Sequence, residues 1–299
     1  MAAPGSRKVK LATFTQAGST RIGVVRGEEL IDLASAAPEL PRDLLSFLAL
    51  GPRARQRAGE VAAAGAARLP LHDVKLESPI LRPPKYLAVG LNYADHVAES
   101  GAELPKVPTI FNKQSTCVVG PYDEVHLPRV SSALDYEGEL AFVIGKRCRH
   151  VPRRRAPEVI AGYLVANDVS VRDWQLRVPT WTMGKSFDTH GPLGPWLTTS
   201  DEVGDPHGLA IRTHVNGELR QSSNTKQLIF DCYALVEHLS TAFTLEVGDV
   251  VTTGTPSGVG MARKPPVMLK AGDVVRVEID GLGELRNEIV PEPEETARF

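Results

Sequence analysis

The sequence predicts a β-rich α+β fold, not an alternating βαβ chain. Three features carry that expectation. Apolar runs of strand length recur, above all at residues 140–144 and 162–169; the helical patterns between such runs are short; and Asn216-Gly217, flanked by the runs 209–215 and 218–222, is a type I′ hairpin signal.

In chain order, residues 9–15 and 21–25 are β-rich and separated by turn residues, while 44–50 and the alanine-rich 54–69 have a helical pattern. Together they make a small N-terminal α/β domain, residues 1–80, closed by prolines at 79, 83 and 84. A strand at 85–91 opens the main domain, expected over residues 81–290. Asn92 can cap a short helix holding Asp95, His96 and Glu99, of which the last two share a helical face. Residues 146–155 hold six lysines and arginines in ten positions, but no aromatics interleave, so a solvated loop is expected and no nucleic-acid site. The strand 162–169 ends at Asp168, with Arg172 and Gln175 one and two helical turns on. Gly184-Lys185-Ser186 looks like the end of a phosphate-binding loop, yet Pro179 stands where that loop requires glycine. Residues 231–243 read as an amphipathic helix, and V-G-D-V-V at 247–251 and A-G-D-V-V at 271–275 each place a turn before a strand. Between them, the glycines of T-G-T-P-S-G-V-G, 253–260, let backbone N–H groups approach an anion; a plain tight loop is the alternative. Residues 291–299 read as a frayed, flexible tail.

One stretch stands apart from these ordinary elements. In L-D-Y-E-G-E-L-A-F-V-I-G-K, 134–146, strand alternation puts Asp135, Glu137 and Glu139 on one face with Ala141 and Val143, so two or three acids enter the core side by side. Side chains two apart on a strand are roughly 6.6 Å apart, close enough to repel in a low dielectric. Protonation, a basic partner or a bound cation must neutralise them, unless this is merely a solvated edge strand. Asp168 supplies a third acid at a strand end. Glu137, Glu139 and Asp168 offer oxygen ligands without thiolate or imidazole, a set that suits Mg²⁺, Mn²⁺ or Ca²⁺ and argues against zinc. Arg172 and Lys185 are the cations available to hold a substrate carboxylate and stabilise a developing enolate, which points to chelating 2-oxo acids.

Composition excludes several other classes. With 299 residues, 42% apolar and 23% charged, and a net charge of -2, the chain can bury a sizeable core and has no general attraction to nucleic acid or anionic membrane. Three cysteines without C-x-x-C spacing suggest neither a disulfide framework nor a zinc knuckle, and a reducing compartment is expected. No run approaches the length of a membrane span, and the N-terminal residues lack the apolar core of a secretory signal, so a cytoplasmic location is expected.

Five phrases in order, V-G-L-N-Y-A-D-H-V-A-E, D-Y-E-G-E-L, N-D-V-S-V-R-D-W-Q, G-K-S-F-D-T-H-G-P-L-G-P and T-G-T-P-S-G-V-G, resemble the fumarylacetoacetate hydrolase family across residues 80–290. Within it, V-G-P-Y-D-E-V, Q-S-S-N-T and R-K-P-P-V are similar to the domain-containing protein 2 group. The resemblance implies a mixed β-roll catalytic domain, commonly a homodimer, behind a small N-terminal domain. It implies Mg²⁺ on Glu137, Glu139 and Asp168, a catalytic His96–Glu99 pair with Lys185, and substrate contacts from Arg172, Gln175 and Thr255. The short N-Y-A-D-H approach to His96 differs from that of the full hydrolases, so their substrate does not carry over. The expected activity is hydrolysis of a C–C bond in an acylpyruvate, with His96 taking a proton from water. Oxaloacetate tautomerisation or decarboxylation through the same enolate is the alternative. A non-catalytic, metal-stabilised binding protein would leave His96, Lys185 and Arg172 without a role.

Overall fold

The structure, a computed structural model, describes residues 8–295; the sequence expectations on residues 1–7 and 296–299 lie outside the described residues. Its centre is a long mixed sheet in the order Arg68–Pro70, Glu29–Asp32, Ser19–Arg26, Lys10–Gln16, Gly191–Thr199, Ile160–Asn167, Gly138–Ile144, Val250–Thr252, Tyr86–Gly90, Thr109–Lys113. Neighbours are antiparallel except Val250–Thr252, which runs parallel to Tyr86–Gly90. A second sheet of five strands, Glu218–Asn224, Ala210–Val215, Val274–Ile279, Gly283–Pro291 and Val125–Leu127, packs against the first.

Strand Gly138–Ile144 is buried on both faces, as its continuous apolar run requires. Leu140, Phe142 and Ile144 join Ile211, Val277 and Leu285 of the second sheet in one core cluster. Ala141 and Val143 face the other way and meet Leu11, Phe47 and Ala58 from the N-terminal residues. The N-terminal strands therefore extend the central sheet across residue 80: Lys10 lies opposite Thr198 and Leu11 opposite Leu197.

Several elements form as their residues dictate. Asn216 and Gly217 both have positive φ, 52° and 81°, closing the hairpin expected there. Asp231 caps helix Cys232–Ala242 by accepting N–H bonds from Tyr233 and Ala234. In each G-D-V-V phrase the aspartate accepts the N–H three residues back, Glu246 to Asp249 at 2.7 Å and Lys270 to Asp273 at 2.8 Å. The basic stretch is solvent-facing, with the exposed pairs Arg147–Glu246 and Arg155–Glu158.

Five expectations need correction. The helix placed at 54–69 is Pro52–Ala64: Gly65 ends it at φ 70°, and Arg68–Pro70 pairs as a strand with Glu29–Asp32. Asn92 does not cap helix Ala94–Ser100, whose N-cap is Tyr93 without a side-chain bond; instead it donates to Phe230 O and Thr253 O and accepts from Phe230 N–H. The acidic strand is interrupted, because Leu134–Asp135 pairs with Ser170–Val171 in a separate two-stranded ribbon before Gly138–Ile144 begins. That ribbon also separates Asp168 from helix Arg172–Gln175, so Arg172 and Gln175 do not continue a helix from Asp168. Of the expected tail, Pro291 ends a strand and Glu292 accepts the N–H of Arg129 at 2.9 Å.

Candidate active site

Register explains why three acids meet. Gly138 lies opposite Asn167, and Asp168 N–H donates to Glu137 O, so Glu137 and Asp168 are cross-strand neighbours. Glu139, two residues on, shares their face. One ligating oxygen from each of Glu137, Glu139 and Asp168 lies within 4.8 Å of the others, and all three residues are buried. Asp135 is not part of this group: it accepts from Arg172 Nε at 2.8 Å and from the N–H groups of Gly260 and Met261.

Two lysines and an arginine compensate the carboxylates. Lys185 Nζ donates to Glu137 Oε2 at 2.6 Å and to Asp168 Oδ2 at 2.8 Å. Gly184 lets it approach, since a Cβ there would stand 2.2 Å from Gln175 N. Arg172 bridges Asp135 and Glu137 and donates to Gln175 Oε1 at 2.9 Å. Lys113 was not anticipated from sequence. Fully enclosed at the end of strand Thr109–Lys113, it donates to Asp168 Oδ1 at 2.6 Å, to His190 O at 3.0 Å and to Lys185 O.

This charge distribution divides the acids. Burial raises the pKa of Glu137, but Lys185 and Arg172 outweigh it and hold the carboxyl down at about 2. Glu139 is pushed well above the usual carboxylate range by burial and by the neighbouring Asp168 and Glu137. Its Oε2 accepts the N–H of Gly254 at 2.8 Å. Burial lowers the pKa of Lys185, yet Asp168 and Glu137 leave it raised. An under-compensated carboxylate beside two others, all oxygen donors, fits a hard divalent cation.

A cavity of about 350 Å³ opens on this cluster. His96 and Glu99 line it from helix Ala94–Ser100, with His96 Nδ1 3.2 Å from Glu99 Oε2. Glu99 is fixed in turn by Gly258 N–H, 3.0 and 3.1 Å from its two oxygens. The glycine-rich loop 253–260 thus does present N–H groups to anions, and those anions are Glu99, Glu139 and Asp135 of the protein itself. Gln175 and Thr255 also line the cavity. The Thr255 hydroxyl donates to Gly138 O and accepts from Gln221 Nε2, a partner not singled out from sequence. The sequence-assigned residues therefore converge on one place, while Arg172 and Thr255 are already bonded to protein groups.

A buried acid cluster faced by a histidine–glutamate pair across a cavity is the equipment of an enzyme for small molecules. A family model described as the fumarylacetoacetate (FAA) hydrolase C-terminal region matches residues 85–290, and the chain belongs to that family. It is 46% identical over 276 residues to the mitochondrial oxaloacetate tautomerase fahd2 of Xenopus laevis, covering 91% of this chain and 86% of that protein. The fumarylacetoacetate hydrolase of Exiguobacterium antarcticum superposes with a TM-score of 0.86 at 38% identity, covering 95% of this chain and 100% of that one. Maleylpyruvate hydrolase from Sphingobium sp. SYK-6, solved with manganese(II) and pyruvate, superposes with a TM-score of 0.80 at 34% identity and the same coverage. Among the described residues no helix is long and apolar enough to cross a membrane, and all three cysteines are free.

Proposed function

We propose that this enzyme interconverts keto and enol forms of 2-oxo acids with the help of a divalent cation, and that oxaloacetate is a substrate. The observation that carries this is the placement of Lys185 and His96, two proton-carrying groups, on the same cavity as the buried acid cluster. Tautomerisation needs only a donor and an acceptor beside a stabilised enolate. The 46% identical relative named for oxaloacetate tautomerisation supports the same choice, and moves it ahead of the C–C hydrolysis expected from sequence.

Glu137, Glu139 and Asp168 would hold the cation, Mg²⁺ in the first place with Mn²⁺ or Ca²⁺ able to substitute, and it would supply Lewis-acid stabilisation of the enolate. The chain's own residues do the rest. Lys185 presents a buried ammonium next to Glu137 and Asp168, where developing negative charge is stabilised most in a low dielectric. His96 exchanges the carbon-bound proton, with Glu99 fixing its ring and Gly258 fixing Glu99. Gln175, whose Oε1 accepts from Arg172, has its amide N–H groups left to orient a substrate carboxylate. Thr255 can accept from the substrate in its present orientation and must rotate to donate.

A second reading, hydrolysis of an acylpyruvate, draws on the His96–Glu99 pair as a base able to activate water. The two are separated by assaying enol-oxaloacetate and an acylpyruvate side by side with Mg²⁺, with EDTA as control and products identified by NMR. Keto-oxaloacetate alone supports the tautomerase. Pyruvate plus a free acid from the acylpyruvate supports the hydrolase, and silence on both removes the proposal.

A further inference from the structure

Beyond the acid cluster the cavity changes character. Among the described residues its only lysine and arginine are Lys185 and Arg172, both already engaged with carboxylates. Much of the remaining wall is apolar, from Leu91, Phe111, Trp181, Val259 and Met261. Trp181 is the most firmly placed of these. Its ring meets Phe111 edge-on at 5.5 Å and 68°, and it lies directly on Gly90, where a Cβ would come within 2.3 Å of Trp181 Cζ3. Phe111 in turn lies under Lys185, whose Nζ is 5.2 Å from the ring centroid. Trp181 has φ 58° and Leu91 φ 52°, a left-handed backbone that is costly for bulky side chains and is kept where the surroundings enforce it. Two bulky residues strained in this way on one cavity mark a wall built for a purpose.

A volume of about 350 Å³ falls in the range that houses drug-sized ligands, more than a four-carbon acid fills. A carboxylate pressed against this wall would lose water and find, among the described residues lining the cavity, no lysine or arginine that is not already paired, while Glu99 adds a further acid to the lining. A flat apolar group would instead stack on Trp181 and Phe111. We propose that Trp181 is a specificity-determining residue, and that it selects 2-oxo acids with an uncharged apolar tail over those of similar length ending in a second carboxylate. This rests on the reading of the cavity as a 2-oxo acid site, and it concerns tails that reach past the four carbons of oxaloacetate onto the apolar wall, not the short diacid itself.

The test uses two acids with one head and different tails, 2-oxo-4-phenylbutanoate and 2-oxoadipate, titrated by calorimetry into the full-length protein with Mg²⁺. The phenyl acid should bind about tenfold tighter or more. Trp181→Ala should bring the two affinities to near parity, chiefly by weakening the phenyl acid, while Trp181→Phe keeps most of the preference. Equal binding, or tighter 2-oxoadipate, in the unaltered protein overturns the proposal, as does a preference that survives Trp181→Ala. Repeating both titrations in EDTA tests the head separately: unchanged affinities would reject cation-assisted 2-oxo acid binding, while the ratio still decides the wall. Failure of both acids to bind would overturn both.

Discussion

Replacing Lys113 by methionine keeps most of the side-chain volume and removes one ammonium. That ammonium is completely enclosed and donates to Asp168 Oδ1 at 2.6 Å, to His190 O and to Lys185 O. Stripping one partner from a buried ion pair costs about 3–5 kcal/mol. Each orphaned carbonyl adds a desolvation cost of about 1–3 kcal/mol unless water reaches it. Lys185 still contacts Asp168 Oδ2, so the aspartate is not left wholly unpaired and the low end of the sum over the ion pair and both carbonyls applies, about 5 kcal/mol. At about 2 °C per kcal/mol for a chain of this size, the metal-free variant should melt roughly 10 °C below the unaltered protein. Scanning calorimetry in EDTA measures this directly. A shift below about 2 °C would show that Lys113 is not holding the acid cluster together, and would refute the account of its buried charges.

Glu139→Gln should stabilise the metal-free protein at neutral pH and above, because burial with Asp168 and Glu137 nearby raises the folded-state pKa of Glu139. With a raised pKa, stability is greatest below the ordinary carboxylate value of 4.5 and is lost as pH climbs toward the folded value. Urea titrations across pH would show the opposite if the carboxylate were well compensated. Glu137 works in reverse: held at about 2, it contributes stability above 4.5 that disappears as pH falls toward 2, and Glu137→Gln should flatten that acid limb. Glu137→Gln and Asp168→Asn should each abolish Mg²⁺ binding by calorimetry with circular dichroism largely unchanged; retained binding in both would remove the metal assignment. Glu99→Gln should lower kcat about 100-fold or more, with KM moving less, since it disorients His96 without touching the acid cluster. A homodimer, expected from the family, predicts about twice the 32.3 kDa chain mass by light scattering.

The acid cluster was legible in the sequence because it obeys a local rule. Glu137 and Glu139 are two apart on a strand, Asp168 ends the next long apolar run, and antiparallel pairing brings them together. The hairpin at Asn216-Gly217 and the helix capped by Asp231 are equally local. Lys113 was not legible, because nothing in T-I-F-N-K distinguishes it from a solvated lysine and its partner is 55 residues away. Asp135 was grouped with the other acids by alternation alone. The strand break at Tyr136 and Glu137 sends it instead to Arg172 and the loop, a long-range preference that periodicity does not encode. Asn92 failed similarly: a good capping residue was drawn into bonds with Phe230 and Thr253, far along the chain.

Loop 253–260 holds Glu139 through Gly254, Glu99 through Gly258 and Asp135 through Gly260. Three functional parts, the acid cluster, the histidine's helix and the arginine clamp, are thus gauged against one short run of main chain. Side-chain substitutions in the cavity wall can alter which tails fit without disturbing that common datum. Inserting or deleting a single residue in the loop would displace all three parts together. Substrate range in this protein is therefore free to drift at the wall, while the loop's length is the dimension that cannot change.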